Sequence, residues 1–514
     1  MLRAQVHSSH SGANGRGVSL SAEDNYDKNG KKGSLFPVVR NWVVCLCLGF
    51  CCIWAVLDSR QRSKVNEYAH TIEELLLGHE ESSFSSSQIP GKENDAGALE
   101  SHPIQFDYTA AEKIPLDVEL SNGVPTLDGS YPKMRPLGEI LRSWDQNNID
   151  NPPMPFLEEL ASFDYQVESE MATALEYRKA ELPFKVHNIK TLTDTSQRWT
   201  DKFLRKQFST QSSGGLFRGA APKRHYLVET SILENNFFIW YDPRAVQNER
   251  ILKKFNFRKP QLDTGWDFDE WLDHARSADA HSISHESPHY YLQTGIPAKK
   301  RKELLDGKGA DKNYPFITEG LPFFRSGQDN FFVFNFDENK GIQCRFGERG
   351  VTAATHYDSG RNSIAMIKGA KRYILSPPRG CEKLSIETDK KHPSFRHSLL
   401  NFAQIKGCSD EKYVQGEDGM EEKLALAATA PTVETILSEG EILYIPSYWF
   451  HYIISLQTSV QCNSRSGQPD EDKYDTSLFG GKFAIEKCLF GPDSRKRETG
   501  ETPHDTQHSR SHLH

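Results

Sequence analysis

The chain has 514 residues, 37% of them hydrophobic and 11% aromatic, with 62 Lys+Arg against 70 Asp+Glu and a formal net charge of −8. That balance excludes the overall basic surface on which non-specific phosphate neutralisation depends, so nucleic acid is not an expected partner. A mean hydropathy of −0.62 excludes a multi-span membrane protein, and 29 Phe, 18 Tyr and 8 Trp are too many large anchors for a wholly disordered chain.

In chain order, a polar tail over 1–40 precedes the uncharged run WVVCLCLGFCCIWAVL, Trp42 to Leu57. Slightly short of the ~20 residues a bilayer span prefers, it still predicts a single transmembrane helix over 41–58. The basic residues before it (Lys28, Lys31, Lys32, Arg40) narrowly outnumber those just after (Arg60, Arg62, Lys64), which favours a cytosolic amino terminus. The expected location is then an endomembrane, ER or Golgi, with the body in the lumen; the lack of any Asn-x-Ser/Thr acceptor points the other way.

A flexible stem is expected over 59–150, where His79 to Leu99 is rich in Ser, Gly and charge. Beyond it, 151–485 reads as one domain with a helical front. Phe156 to Tyr177 and Trp266 to Ala275 have apolar spacing suited to helices. Short β-like runs follow: NFFVFNF, GIQCRF, NSIAMI, KRYILSPP, EILYIP, HYIISL and SVQCN. The tail over 486–514, with four His in HDTQHSRSHLH, reads as a disordered terminus. Cys344, Cys381, Cys408, Cys462 and Cys488 are dispersed and form no CxxC pair, so buried free thiols are expected.

Chemistry concentrates in GVTAATHYDSGRNSIAMIKGAKR, Gly350 to Arg372. His356 and Asp358, two apart, leave one face of a strand and can meet one ion. GEILYIPSYWFHYI adds His451. Two His and one carboxylate on one face of an octahedron leave three positions open for an organic cosubstrate and dioxygen, and Fe(II) is the expected metal. Trp449 and Phe450, beside the third ligand, read as packing that holds the imidazole and excludes water.

In this order HYDSGRN, KGAKRYILSPP and GEILYIPSYWFH, with Tyr291-Leu292-Gln293 upstream, resemble the Jumonji-C domain in its cupin-like branch, similar within it to the asparaginyl hydroxylase of hypoxia-inducible factor. The resemblance covers about Phe156 to Gly480. It implies a mainly β fold, a double-stranded β-helix of jelly-roll or cupin type with a helical N-terminal flank, carrying Fe(II), 2-oxoglutarate and O2. It makes His356, Asp358 and His451 the metal ligands. Lys371 would pair with the far carboxylate of 2-oxoglutarate, and Lys368, three residues earlier, reads as a solvated turn lysine. Tyr291 would reach the same carboxylate, and Asn362 would lie near the metal-bound end. Asn463 matches a second asparagine, with Gln461 the alternative. Thr352 matches a cosubstrate threonine, but an extra residue separates it from His356, which leaves Thr355 open as well.

The implied function is an Fe(II)/2-oxoglutarate-dependent dioxygenase that hydroxylates a protein side chain and releases succinate and CO2. The alternative is a non-catalytic, membrane-tethered cupin-like binding module, disfavoured because all three ligands and the lysine stand in place.

Overall fold

Runs of β-branched and aromatic residues between Gly, Pro and Asn punctuation form strands where both faces can be covered. The computed structural model describes residues 108, 113–115, 131–209, 226–281, 283–298, 314–405, 419–468 and 481–490. Eight strands make the barrel: β1 (Gly341–Gly347), β2 (Thr352–Tyr357), β3 (Arg361–Lys368), β4 (Ala370–Ser376), β5 (Pro431–Ser438), β6 (Ile442–Ile445), β7 (Phe450–Ser455) and β8 (Ser459–Ser466). Successive strands alternate between two sheets at every step except β4 to β5, which pair as neighbours, and the sheets are ordered β6-β3-β8-β1 and β5-β4-β7-β2. Neighbours within these two sets are antiparallel. That alternation is the double-stranded β-helix, a mainly β cupin-like fold.

Flanking strands widen both sheets. Tyr290–Pro297 and Tyr226–Ser231 continue beyond β1, Phe184–His187 lies beyond β6, and Arg135–Pro136 pairs with β5. Helices Lys190–Arg198, Asp201–Ser209 and Phe268–His281 press Leu192, Trp199, Phe208 and Trp271 into one core with Ile342, Phe346 and Val460. A second core joins Leu137, Ile140 and Leu141 to Ile374, Ile436 and Ile454. Every residue of β4 and β7 is buried, which is why these strands are mostly apolar and why their polar members Lys371, Arg372 and His451 need partners inside the fold.

The expected transmembrane helix, and with it the single-pass endomembrane protein with a lumenal catalytic domain, is corrected. No helix among the described residues is long and apolar enough to cross a membrane, and Phe268–His281, the longest of them, has 14 residues where a span needs ~20. The run over 41–58 lies outside the described residues, as do the tail over 1–40 and most of the stem.

Three local expectations also change. Phe156 to Tyr177 contains two short strands, Phe156–Glu158 and Ser162–Asp164, before its helix starts at Glu168. Asn330 to Phe336 is no strand, because Asn330 Oδ1 accepts from the amides of Phe332 and Val333 and closes a turn. Four cysteines are not free: Cys344–Cys462 and Cys381–Cys488 are disulfides. The first joins directly opposed positions of β1 and β8, a pairing hidden by a sequence separation of 118.

Candidate metal centre

On β2 the extra residue before His356 is absorbed as an irregularity in pairing. Ala353 faces Ile453 and His356 faces His451, so two residues of β2, Ala354 and Thr355, lie opposite one of β7, Tyr452. This re-aims His356 toward His451. Asp358 follows the strand directly, and its carbonyl accepts from the Tyr448 amide at 2.8 Å. One ligand atom from each of His356, Asp358 and His451 lies within 4.8 Å of the others.

The proton positions follow from the hydrogen bonds. His356 Nδ1 lies 2.8 Å from Ala354 O, and His451 Nδ1 lies 3.2 Å from Trp449 O. A carbonyl accepts only, so each Nδ1 carries the hydrogen and each Nε2 a lone pair. Burial holds both imidazoles below their ordinary titration range, which keeps them neutral. The two Nε2 atoms then face one another at 3.0 Å, with Asp358 Oδ2 4.0 Å from that of His451. Three electron-pair donors converge with no proton among them, a set that fits a divalent cation.

Asp358 stays ionised. Burial alone would raise its pKa, but the Arg465 guanidinium foremost holds it well below the usual carboxylate range. Arg465 donates to Asp358 Oδ1 and, at 2.9 Å, to Gln343 Oε1. Asn362 donates to Asp358 Oδ2 at 3.2 Å, and Asn463 donates to Asn362 Oδ1 at 2.9 Å. Gln461 instead accepts from Tyr373. Both Asn463 and Gln461 line a cavity of about 600 Å³ that also contains His356, Asp358, His451, Asn362 and Tyr291.

Lys371, on β4, is buried, and its Nζ lies 5.3 Å from the centre of the Tyr291 ring. Burial and the nearby Arg345 push it down to about 7; burial raises Tyr291 to about 12. Lys368 lies at the outer end of β3 and pairs with Glu439 at 3.1 Å. Thr352 Oγ1 donates to Gly350 O at 3.1 Å. Neither Thr352 nor Thr355 is among the residues lining the cavity.

Sequence reasoning missed three side chains. Arg345 and Arg465 line the cavity from positions that strand alternation alone would send to solvent. His397 bridges to His356 and stacks on its ring at 4.7 Å and 13°; no pattern marks it, because it sits in the irregular segment between β4 and β5.

The profile of the cupin-like domain family matches residues 174–464. Human tRNA wybutosine-synthesizing protein 5 is 27% identical over 201 residues, 38% of this chain and 53% of that one. Lysine-specific demethylase JMJ30 of Arabidopsis thaliana is 30% identical over 124 residues, 24% of this chain and 25% of that one. Lysine-specific demethylase 8 of Xenopus tropicalis is 33% identical over 119 residues, 23% of each chain. The matched stretch is thus about half of the first relative and about a quarter of the other two. These likenesses support the Jumonji-C and cupin-like resemblance without singling out the asparaginyl hydroxylase.

Proposed function

Because the chain belongs to the cupin-like domain family, we propose that it is an Fe(II)- and 2-oxoglutarate-dependent dioxygenase that hydroxylates a protein side chain. The observation that carries this reading is the pair of imidazole lone pairs facing one another at 3.0 Å beside an ionised carboxylate. His356, Asp358 and His451 would hold the metal. Bound there, Fe(II) with 2-oxoglutarate would supply dioxygen activation and oxidation of a carbon–hydrogen bond, with release of succinate and CO2.

The chain's own residues have separate tasks. Ala354 O and Trp449 O fix the imidazole tautomers, and Arg465 and Asn362 orient the Asp358 carboxylate. Lys371 and Tyr291 would hold the far carboxylate of 2-oxoglutarate, where Lys371 makes no ion pair among the described residues. Asn362 and Asn463 would face its metal-bound end, and Trp449 and Phe450, both buried, keep water from the ligand. Thr352 is the weakest member of the proposed cosubstrate set, since its hydroxyl is engaged by Gly350.

The test is coupled turnover: the purified full chain with Fe(II) and 2-oxoglutarate, succinate measured, and protein extracts read by mass spectrometry for added oxygen. Succinate formation that His356→Ala abolishes is expected. Turnover undiminished in that variant, or no affinity for 2-oxoglutarate in the metal-loaded protein, refutes the reading.

A further inference from the structure

A second cavity, of about 440 Å³, adjoins the metal centre and shares Trp240 and Arg396 with it as lining residues. One wall is the segment KKHPSFR, 390–396, and another is the helix Gly481–Phe490. The Cys381–Cys488 disulfide ties that helix to the 3-10 turn Pro378–Lys383. Trp240 is 42% exposed, and its ring stacks on His397 at 5.4 Å, which in turn stacks on His356. The wall of this cavity therefore leads, ring by ring, to a candidate metal ligand.

Two lining residues hold strained backbones. Arg396 has φ 73° and Tyr448 φ 66°, a region unfavourable to non-glycine residues that persists where the surroundings impose it. Arg396 is fixed by its amide donating to Glu387 O at 3.1 Å, and Tyr448 by its amide on Asp358 O. The backbone thus places the Arg396 guanidinium at the junction of the two cavities and the Tyr448 phenol in the wall of the second.

The lining charges do not balance. Asp242 is taken by Arg244 at 3.1 Å and Glu486 by Lys482 at 3.5 Å. The nearby Asp389 is held by Lys254 at 2.8 Å. Lys390, Lys391 and Arg396 remain, and none makes an ion pair among the described residues. Lys390 lies over the Phe490 ring at 4.6 Å and Arg396 over Tyr357 at 5.8 Å. Three like charges around one concavity repel one another, and an anionic guest removes that cost.

We propose that this second cavity docks the substrate polypeptide through an acidic segment, whose carboxylates pair with Lys390, Lys391 and Arg396 while the adjoining residue passes Trp240 into the metal cavity. The proposal rests on the oxygenase reading of that centre. A polypeptide is favoured over a nucleic acid because a phosphate backbone brings one charge per nucleotide and needs a continuing basic track. Here the surplus stops at three cations, on a chain of net charge −8. The volume also suits a few side chains.

The experiment is fluorescence anisotropy with the full chain and three labelled probes: an octapeptide of Asp, Glu and Ala, its Asn/Gln counterpart, and an octauridylate. Lys390 and Lys391 are exposed, so Lys390→Glu/Lys391→Glu should fold; Lys190→Glu/Lys202→Glu, on the helices Lys190–Arg198 and Asp201–Ser209, controls for net charge. The acidic peptide should bind at least tenfold tighter than its neutral counterpart and lose at least tenfold in the first variant but not in the control. Trp240→Ala should also weaken it. Equal binding of both peptides, or unchanged affinity in Lys390→Glu/Lys391→Glu, overturns the proposal. Tighter binding of the octauridylate overturns the choice of a polypeptide. A cobalt(II) titration of the same wild-type preparation reports the metal centre separately, so failure there is distinguishable from failure of the docking site.

Discussion

Gly347 ends β1 opposite Tyr291 on one side and Ser459 on the other, and the space its missing side chain leaves is where the Lys371 ammonium sits. A Cβ built there would lie 3.2 Å from Lys371 Nζ, 3.1 Å from Ser459 Oγ and closer still to Ser455 Oγ. Gly347→Ala therefore imposes two separable costs. Overpacking against β7 and β8 should lower stability by ~1–3 kcal/mol. Displacing the ammonium should weaken its charge-assisted bond to the far carboxylate of 2-oxoglutarate, worth ~1.5–3 kcal/mol, a loss of about 10- to 150-fold in affinity. Metal affinity should not change, since no candidate ligand is touched. The assay is calorimetry of 2-oxoglutarate binding to protein loaded with a redox-inert divalent metal, alongside chemical denaturation. Adding Ser455→Ala removes the nearest obstacle and should restore stability but not affinity. A Gly347→Ala protein that binds 2-oxoglutarate as tightly as wild type, or that loses its metal, refutes the assignment of Lys371 to the cosubstrate.

Four further outcomes follow from buried charge. Because Lys371 is depressed from 10.5 to about 7, an anion binding above that pH must first restore its proton. Affinity for 2-oxoglutarate should fall as pH rises past 7, and calorimetry at pH 8 in buffers of different ionisation enthalpy should show proton uptake; its absence refutes the role. The same shift makes the unfolded chain the better proton acceptor between about 7 and 10.5, so this lysine's contribution should raise stability with pH across that window and be missing in Lys371→Met. Arg372, fully buried, is held by Glu434 at 2.6 Å and by the carbonyls of Trp144 and Ile140. Glu434→Ala should cost ~3–5 kcal/mol in denaturant unfolding by stranding that guanidinium, and Arg372→Met in the same chain should return part of it. Arg465→Ala should weaken metal binding by about 10- to 100-fold in a chelator competition by freeing the Asp358 carboxylate; unchanged or tighter binding would show that the arginine competes with the ion instead.

Much of the barrel was legible because its strands are covered on both sides. KRYILS and HYIISL are dominated by large apolar residues, as strands covered on both faces require, and the stretch between Gly369 and Pro377 matches β4. β5 escaped notice because Glu434 interrupts PTVETILS, and only the structure shows that this carboxylate has two guanidinium partners, Arg372 and Arg135. The short strands ahead of residue 190 were hidden for another reason. Phe156–Glu158 and Ser162–Asp164 are three residues each, below the length at which a period of two can be told from a helical one.

The site's cations were hidden by the rule that exposes most sites. In GIQCRF the even members, Ile342, Cys344 and Phe346, enter the core under the helices, and in SVQCNSRS Val460 and Cys462 do the same. Alternation then assigns Gln343, Arg345, Gln461, Asn463 and Arg465 to solvent, as it would for an open antiparallel sheet. In a sheet rolled against a second sheet the remaining face looks into the barrel, and these five side chains line the metal cavity instead. A polar face on a strand is therefore ambiguous between water and a binding site until the partner sheet is known. The HxD motif and the family resemblance, which brought in Asn463 or Gln461, resolved that ambiguity at some points of the wall; Gln343, Arg345 and Arg465 needed the pairing of β1 with β8, a contact between residues more than a hundred positions apart.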